Sequence, residues 1–159
     1  MPRQSPATFL LQIVQPGILG LIDGSVSTLA PLLSTVLLTG VPFDAFRVGA
    51  ATAVGAGISM AMSEALSDDG KITGRGSAWK RGLVVGAMTT IGGLGHTLPF
   101  LIPTERTALI VAGVVIAGEL ICIALIRHRF FKTNLWASVA QVFLGGALVV
   151  LAGVLFGGV

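Results

Sequence analysis

Five long apolar stretches constrain the fold of this sequence more than any other feature. A helix needs about 20 mostly apolar residues to cross a hydrocarbon layer of about 30 Å. Five windows meet that requirement, at residues 17–38, 46–66, 81–102, 108–126 and 135–156. The segments between them contain the Pro, Gly, Asp and Asn typical of turns. The pattern predicts an all-α integral membrane bundle of five transmembrane helices, forming a single transmembrane domain over residues 1–159.

The composition excludes several other classes of protein. Only 11% of the residues are charged and 53% are hydrophobic, whereas about 25% of the residues are charged in soluble domains. The net charge of +3 does not indicate a nucleic-acid partner, because no aromatic RNA-binding pattern accompanies it. No nucleophile with a partner base appears, so we expect no enzyme. No P-loop pattern indicates a nucleotide, and we expect no cofactor.

The distribution of basic residues predicts the orientation in the membrane. Counted by alternate sides, one side carries eight: Arg3, Lys71, Arg75, Lys80, Arg81, Arg127, Arg129 and Lys132. The other side carries only Arg47 and Arg106. Because basic residues favour the cytoplasmic side, we expect a cytoplasmic N-terminus and an external C-terminus. An odd number of helices without an internal repeat favours a homodimer as the pore-forming unit.

Small residues repeat at the spacing that allows close helix packing. The pairs on the first two predicted helices are Gly20 with Gly24, Ala51 with Gly55, and Ala53 with Gly57. Small residues four positions apart let two helix backbones approach each other. These two helices are therefore the candidates for a close interface.

Three carboxylates lie inside predicted membrane helices, where each is costly unless it is paired, protonated or bound to a cation. Asp23 lies in the first helix, Glu64 near the cytoplasmic end of the second, and Glu119 near the middle of the fourth. At a rise of about 1.5 Å per residue, Met60 falls at a depth similar to that of Asp23 and Glu119. Glu64 follows Met60 by one helical turn and shares its face.

Carboxylate oxygens and a thioether together suit a borderline transition ion such as Fe²⁺ or Mn²⁺ better than Mg²⁺ or Ca²⁺. Asp23, Met60 and Glu64 are therefore the main candidates for a metal pathway. Each candidate has a structural alternative: Met60 could fill a packing gap, Glu64 could be an interfacial residue, and Asp23 could have a purely structural role. Glu119 could transport an ion, or it could hydrogen-bond across helices as a structural acid.

Four weaker candidates surround this set. Ser27 lies one turn after Asp23 on the same face. His96 is a candidate for an exit-side ligand or a proton acceptor, and a plain interfacial histidine is the alternative. Asp68 and Asp69 could attract cations at the cytoplasmic mouth, although Asp-Asp-Gly is ordinary turn chemistry, and the turn is the favoured interpretation.

Two segments resemble the paired signatures of the vacuolar iron transporter family. GILGLIDGSVSTLAPLL (17–33) carries an aspartate-glycine step, and GAGISMAMSEALSDDG (55–70) carries an ISM-x₃-E pattern. The continuation GRGSAWKRGLVVGAMTTIGGLGHTLPFLIP (74–103) is most similar to the transporter half of bacterial membrane-bound ferritins.

The resemblance implies a five-helix homodimer in a bacterial inner membrane. Its first two helices would line a pathway that exports Fe²⁺ from the cytosol by proton antiport, with Asp23, Met60 and Glu64 at the positions of the family's metal pathway. The glutamate-rich insert of the plant-type members is replaced here by a short loop, and the ferritin-like domain is not part of this sequence. The alternative is a non-transporting membrane anchor or assembly subunit for a ferritin-like partner.

Overall fold

The computed structural model describes residues 6–71 and 73–158, and all the regular secondary structure in those ranges is helical. The elements are helix α1 (Pro6–Phe9), a π-helical segment (Leu10–Val14), α2 (Gln15–Thr39), α3 (Pro42–Ser67), α4 (Ala78–Thr97), a 3₁₀ segment (Leu98–Leu101), α5 (Glu105–Phe131) and α6 (Leu135–Gly157). Five of the resulting helices are long and apolar enough to cross a membrane. This confirms the predicted all-α architecture and indicates a membrane protein. Arg3 lies outside the described residues.

The first spanning helix begins at Pro6, well before the predicted start at residue 17. The difference arises at Pro16, which has no N–H and cannot bond to the carbonyl of Gln12. Directly before it, the Gln15 N–H donates to the carbonyl of Leu10, five residues back. Such π-helical turns insert one extra residue into an otherwise α-helical segment. The helix therefore continues through the proline.

Proline and a side-chain cap also set the ends of the next two helices. α3 begins at Pro42 and not at residue 46, because proline is favoured in the first turn of a helix. α4 begins at Ala78 and not at residue 81, after Ser77, whose side-chain oxygen accepts a hydrogen bond from the first turn. α4 gives way to the 3₁₀ segment next to Pro99, which cannot donate the hydrogen bond that would continue an α-helix.

α5 is longer than predicted and covers most of the expected loop at residues 127–134. It continues to Phe131, and only residues 132–134 separate it from α6. Arg127, His128 and Arg129 lie in its last turns, where positive charge interacts favourably with the helix dipole. Lys132 follows in the left-handed conformation, with φ of 56°, and ends the helix.

α4 lies at the centre of the bundle and packs against α2 on one side and α3 on the other. The contact with α2 is backbone against backbone: a side chain added at Gly24 would place its Cβ 2.0 Å from the Thr89 carbonyl oxygen. On the other side, a Cβ added at Gly86 of α4 would lie 2.5 Å from the Gly57 carbonyl oxygen of α3. Small residues permit this approach. The backbones of α2, α3 and α4 are therefore in close contact.

The remaining helices lie further out. α6 packs against α2, where the Ser34 hydroxyl donates to the Gly153 carbonyl at 3.0 Å.

One face of α3 is not covered by the rest of the described chain. Ala51 and Gly55 are exposed there, and no atom lies within 4 Å of the position that a Cβ at Gly55 would take. The small-residue face formed by Ala51 and Gly55 is therefore open in a single copy of the chain.

We expect Gly24→Ala to lower the free energy of unfolding by about 1–3 kcal/mol, because the added methyl group would overpack the contact with α4. Gly113→Ala on α5 is the matched control, since nothing lies within 4 Å of its added methyl group. That change should be neutral, or stabilising by up to about 1 kcal/mol. Denaturant unfolding in detergent micelles, followed by circular dichroism, measures both. Equal effects of the two substitutions would contradict the close packing.

Candidate functional site

The candidate residues form two neutralised groups and one open carboxylate. The arginine cluster consists of Glu64, Asp68, Arg75 and Arg81. The histidine–glutamate couple consists of His96 and Glu119. Asp23 lies by itself on α2.

Arg81 organises the arginine cluster. Its side chain is 0% exposed, and all three of its nitrogens donate: Nε to Glu64, Nη2 to Asp68 at 2.8 Å, and Nη1 to the Gly76 carbonyl at 2.7 Å. Arg75 adds a second positive charge, 3.0 Å from Glu64 and 3.7 Å from Asp68. Two arginines thus balance two carboxylates. The charge of Glu64 is therefore balanced within the cluster.

The cluster follows from the helical hairpin that α3 and α4 form. Its short loop brings acidic residues at the end of α3 next to basic residues at the start of α4. Within the loop, the Lys71 N–H donates to the Asp69 carboxylate at 2.9 Å, which is the turn chemistry expected of this residue type. Gly70 and Gly76 adopt positive φ angles of 73° and 74°. Asp69 therefore stabilises the turn, and Asp68 belongs to the cluster.

The histidine–glutamate couple joins three helices inside the bundle. His96 of α4 is 0% exposed. Its Nδ1 lies 3.0 Å from Oε2 of Glu119 on α5, and its Nε2 lies 2.7 Å from the Thr28 hydroxyl on α2. The Ser25 hydroxyl of α2 donates to the same Oε2 at 3.1 Å. Both ring nitrogens are thus occupied, and neither is free to bind a metal ion in this arrangement.

Asp23 differs from the other acids in its surroundings. It lies partly exposed on α2, and its carboxylate makes no hydrogen bond or ion pair with any residue that the structure describes. Ser27 follows one turn later, and its hydroxyl oxygen is buried without a hydrogen-bond partner in the same part of the chain. Met60 is partly exposed on α3. These polar groups keep unused bonding capacity.

A single copy of the chain does not hold a complete metal site within residues 6–71 and 73–158. No group of three or more His, Cys, Asp or Glu side chains there could hold a metal ion. Glu64 is bound to arginines and Glu119 to a histidine. A metal ion at Asp23 would need ligands from water, from Met60 or from a second copy.

The partners of these acids are not among the predicted site residues. Arg81 enters the prediction only through its effect on topology, although its place one short loop after Glu64 is a usable signal for an ion pair between antiparallel neighbours. Ser25 and Thr28 carry no such signal. Their contacts with Glu119 and His96 join positions 94 and 68 residues apart, and no local pattern reveals such pairs.

No protein-family model, curated protein or solved structure matches this chain. The resemblance carried by residues 17–33, 55–70 and 74–103 therefore stays a prediction from sequence.

We expect Arg81→Met to destabilise the protein by about 3–5 kcal/mol, because it leaves two largely buried carboxylates without their main counter-charge. Unfolding in detergent micelles measures the loss. The triple variant Arg81→Met, Glu64→Gln, Asp68→Asn should recover much of it. Arg106→Met, at an exposed position on α5, should stay within about 0.5 kcal/mol of wild type. A triple variant no more stable than Arg81→Met would refute the ion-pair explanation.

The contribution of Asp68 to stability should depend on pH. The hydrogen bond from Arg81 holds the pKa of Asp68 below its ordinary value of 3.8. Stabilisation from a lowered carboxyl pKa is full above the ordinary value and is lost as the pH falls through the folded value. The difference in unfolding free energy between wild type and Asp68→Asn should therefore be constant above pH 3.8 and shrink below it. A difference that shrinks well above that pH would argue against this pairing.

Proposed function

We propose that this chain is a secondary transporter that moves a divalent metal ion, Fe²⁺ or Mn²⁺, out of the cytosol in exchange for protons. The observation that carries the proposal is the Asp23 carboxylate, which lies in a membrane-spanning helix without a counter-charge in the described chain. A carboxylate in that position is costly unless a cation or a proton neutralises it. A metal–proton antiporter exchanges these two kinds of ion.

The contrast with the other acids supports this role. Glu64 and Glu119 each have a basic partner at hydrogen-bonding distance, so neither needs a transported ion to balance its charge. Asp23 lacks such a partner. Its neighbour on the helical face, Ser27, also has an unused hydroxyl oxygen. Both groups can offer oxygen to a passing ion.

A second copy would supply the missing ligands. Two copies of Asp23 and Met60 provide two carboxylates and two thioethers, a ligand set that favours Fe²⁺ over the harder Mg²⁺ and Ca²⁺. The open small-residue face of Ala51 and Gly55 offers the close helix contact that a homodimer requires. The resemblance to the vacuolar iron transporter family points to the same assembly and to a bacterial inner membrane.

In this proposal Glu64 and Asp23 have different roles, because Glu64 belongs to the arginine cluster and Asp23 does not. With the loop between α3 and α4 in the cytoplasm, an entering metal ion meets Glu64 and Asp68 already bound to guanidinium groups. The ion must replace a guanidinium to bind there. Glu64 therefore acts during entry, and Asp23 with Met60 holds the ion in the membrane.

We expect Asp23→Asn to lower metal flux by at least about 10-fold. Removal of a group that only supports a metal ligand already lowers metal affinity or activity by about 10- to 100-fold, and loss of a ligand itself should cost at least as much. Uptake of Fe²⁺, Mn²⁺ and Zn²⁺ into proteoliposomes, with and without a pH gradient, measures the effect. Asp44→Asn is the matched control, because Asp44 lies in the first turn of α3 beside Arg47.

Two outcomes would count against the proposal. Unchanged flux in Asp23→Asn would remove Asp23 from the pathway. The absence of flux of any of the three metals through the wild type would favour the alternative, a membrane anchor or assembly subunit for a ferritin-like partner.

A further inference from the structure

The distances around His96 favour one placement of its hydrogen atoms. The Thr28 hydroxyl donates its one proton to the Gly24 carbonyl at 2.7 Å. A hydroxyl has a single hydrogen, so its oxygen can only accept from His96 Nε2, 2.7 Å away. Nε2 therefore carries a hydrogen. The contact between Nδ1 and the Glu119 carboxyl group must then contain a second proton, since two bare acceptors would repel each other.

The couple thus holds one proton between His96 Nδ1 and Glu119 Oε2. With the proton on Nδ1 the pair is an imidazolium facing a carboxylate, and with the proton on Oε2 it is a neutral pair. The total charge is zero in both forms. The Ser25 hydroxyl, which donates to Oε2, is compatible with either.

We propose that the His96–Glu119 couple is the proton-binding site of the transport cycle, and that the proton it releases is the one exchanged for the metal ion. This inference rests on the proposed function and extends it from the metal to the counter-ion. Release leaves a neutral imidazole with its hydrogen on Nε2, a carboxylate on Glu119, and a proton transferred to water. The charge of the couple changes from zero to −1.

The proton is held jointly by these two residues alone. Among the described residues, no other ionisable side chain hydrogen-bonds or ion-pairs with either member. On α5, Cys122 is exposed and Arg127 donates to Gln141 of α6. α6 carries no ionisable residue, Lys80 and Arg81 lie at the far end of α4, and Glu64 of α3 lies there with Arg81. At the other end of α3, Asp44 and Arg47 pair with each other, and Glu105 and Arg106 lie in the first turn of α5. Asp23 is the nearest acid along α2.

Release of the proton requires Glu119 to move. Without the proton, Nδ1 and Oε2 are two acceptors 3.0 Å apart, so the carboxylate must swing away. Its side chain is 15% exposed, whereas that of His96 is 0% exposed, so the exit lies on the glutamate side. The other oxygen, Oε1, rests against Gly95, where an added Cβ would lie 2.1 Å from it. The carboxylate thus occupies space that only a glycine leaves open.

The same helix links the couple to the proposed metal ligand. Ser25 follows Asp23 by two residues, which is about 3 Å along the helix axis and on roughly the opposite side. Asp23 and the couple are therefore separated by roughly the diameter of the helix, about 10 Å, a distance at which charges still interact when little water lies between them. A divalent ion at Asp23 favours loss of the proton from the couple, and a proton on the couple favours release of the ion. This reciprocal linkage is what antiport requires.

Nitrogen NMR of the purified protein labelled in histidine tests the proton site without transport. The chain has two histidines, and His96→Gln assigns their signals. We expect His96 to keep its hydrogen on Nε2 at every pH and to show a pH-dependent change at Nδ1 that Glu119→Gln alters. A ring with a bare Nε2, or a pH response that is the same in wild type and Glu119→Gln, would overturn the proposal.

Gly95→Ala tests the coupling without removing an ionisable group. The new methyl group displaces the end of a flexible side chain and meets no backbone atom, so the fold should survive. In proteoliposomes with an internal pH-sensitive dye, we expect loss of proton movement driven by metal flux. Gly113→Ala, whose methyl group meets nothing, should match wild type.

The outcomes separate the two proposals. Metal flux with an unchanged number of protons per ion in both Gly95→Ala and Glu119→Gln would overturn the proton site and leave transport intact. A wild type that moves no metal would overturn the transport role and the proposed function together. The NMR titration would then still decide whether the couple shares a proton.

Discussion

The structure depends on the cost of leaving a polar group without a partner in hydrocarbon. That cost explains why the described chain is helical wherever it is regular, since a helix satisfies its own backbone. It also explains the buried side chains. Arg81 uses all three of its nitrogens, and both ring nitrogens of His96 have partners. Against this background Asp23 is the exception: it lies well inside a spanning helix, and it has no partner among the described residues.

Much of the fold could be predicted from the sequence, because long apolar segments separated by turn residues permit few alternatives. The boundaries were less predictable. The first predicted helix begins at residue 17, directly after Pro16, but one wider turn lets the helix continue through the proline. The fourth predicted helix ends at residue 126, but the helix continues through Arg127, since positive charge is favourable at the end of a helix. In both places the helix continues past its predicted end point because it is stabilised by the turns around that point: by a hydrogen bond next to Pro16, and by the helix dipole at Arg127.

The candidate site was predictable in its residues and not in its pairings. The acids were recognisable because charge is rare in apolar segments. Whether each acid is free or neutralised depends on which helices meet. Glu119 meets His96 because Gly95 leaves space for its carboxylate, and Glu64 meets Arg81 because α3 and α4 form a hairpin. Helix packing fixes those contacts, and the local sequence around each acid does not reveal them.

The arginine cluster has a consequence for biogenesis. All the side-chain and carbonyl partners of Arg81 lie between residues 64 and 76, so the hairpin of α3 and α4 contains the groups that neutralise its own buried charge. It can enter the bilayer as a closed unit as soon as α4 leaves the ribosome. His96 enters the bilayer with that unit, but its partner Glu119 is synthesised later, in the next helix. The order of synthesis thus completes the arginine cluster before the couple.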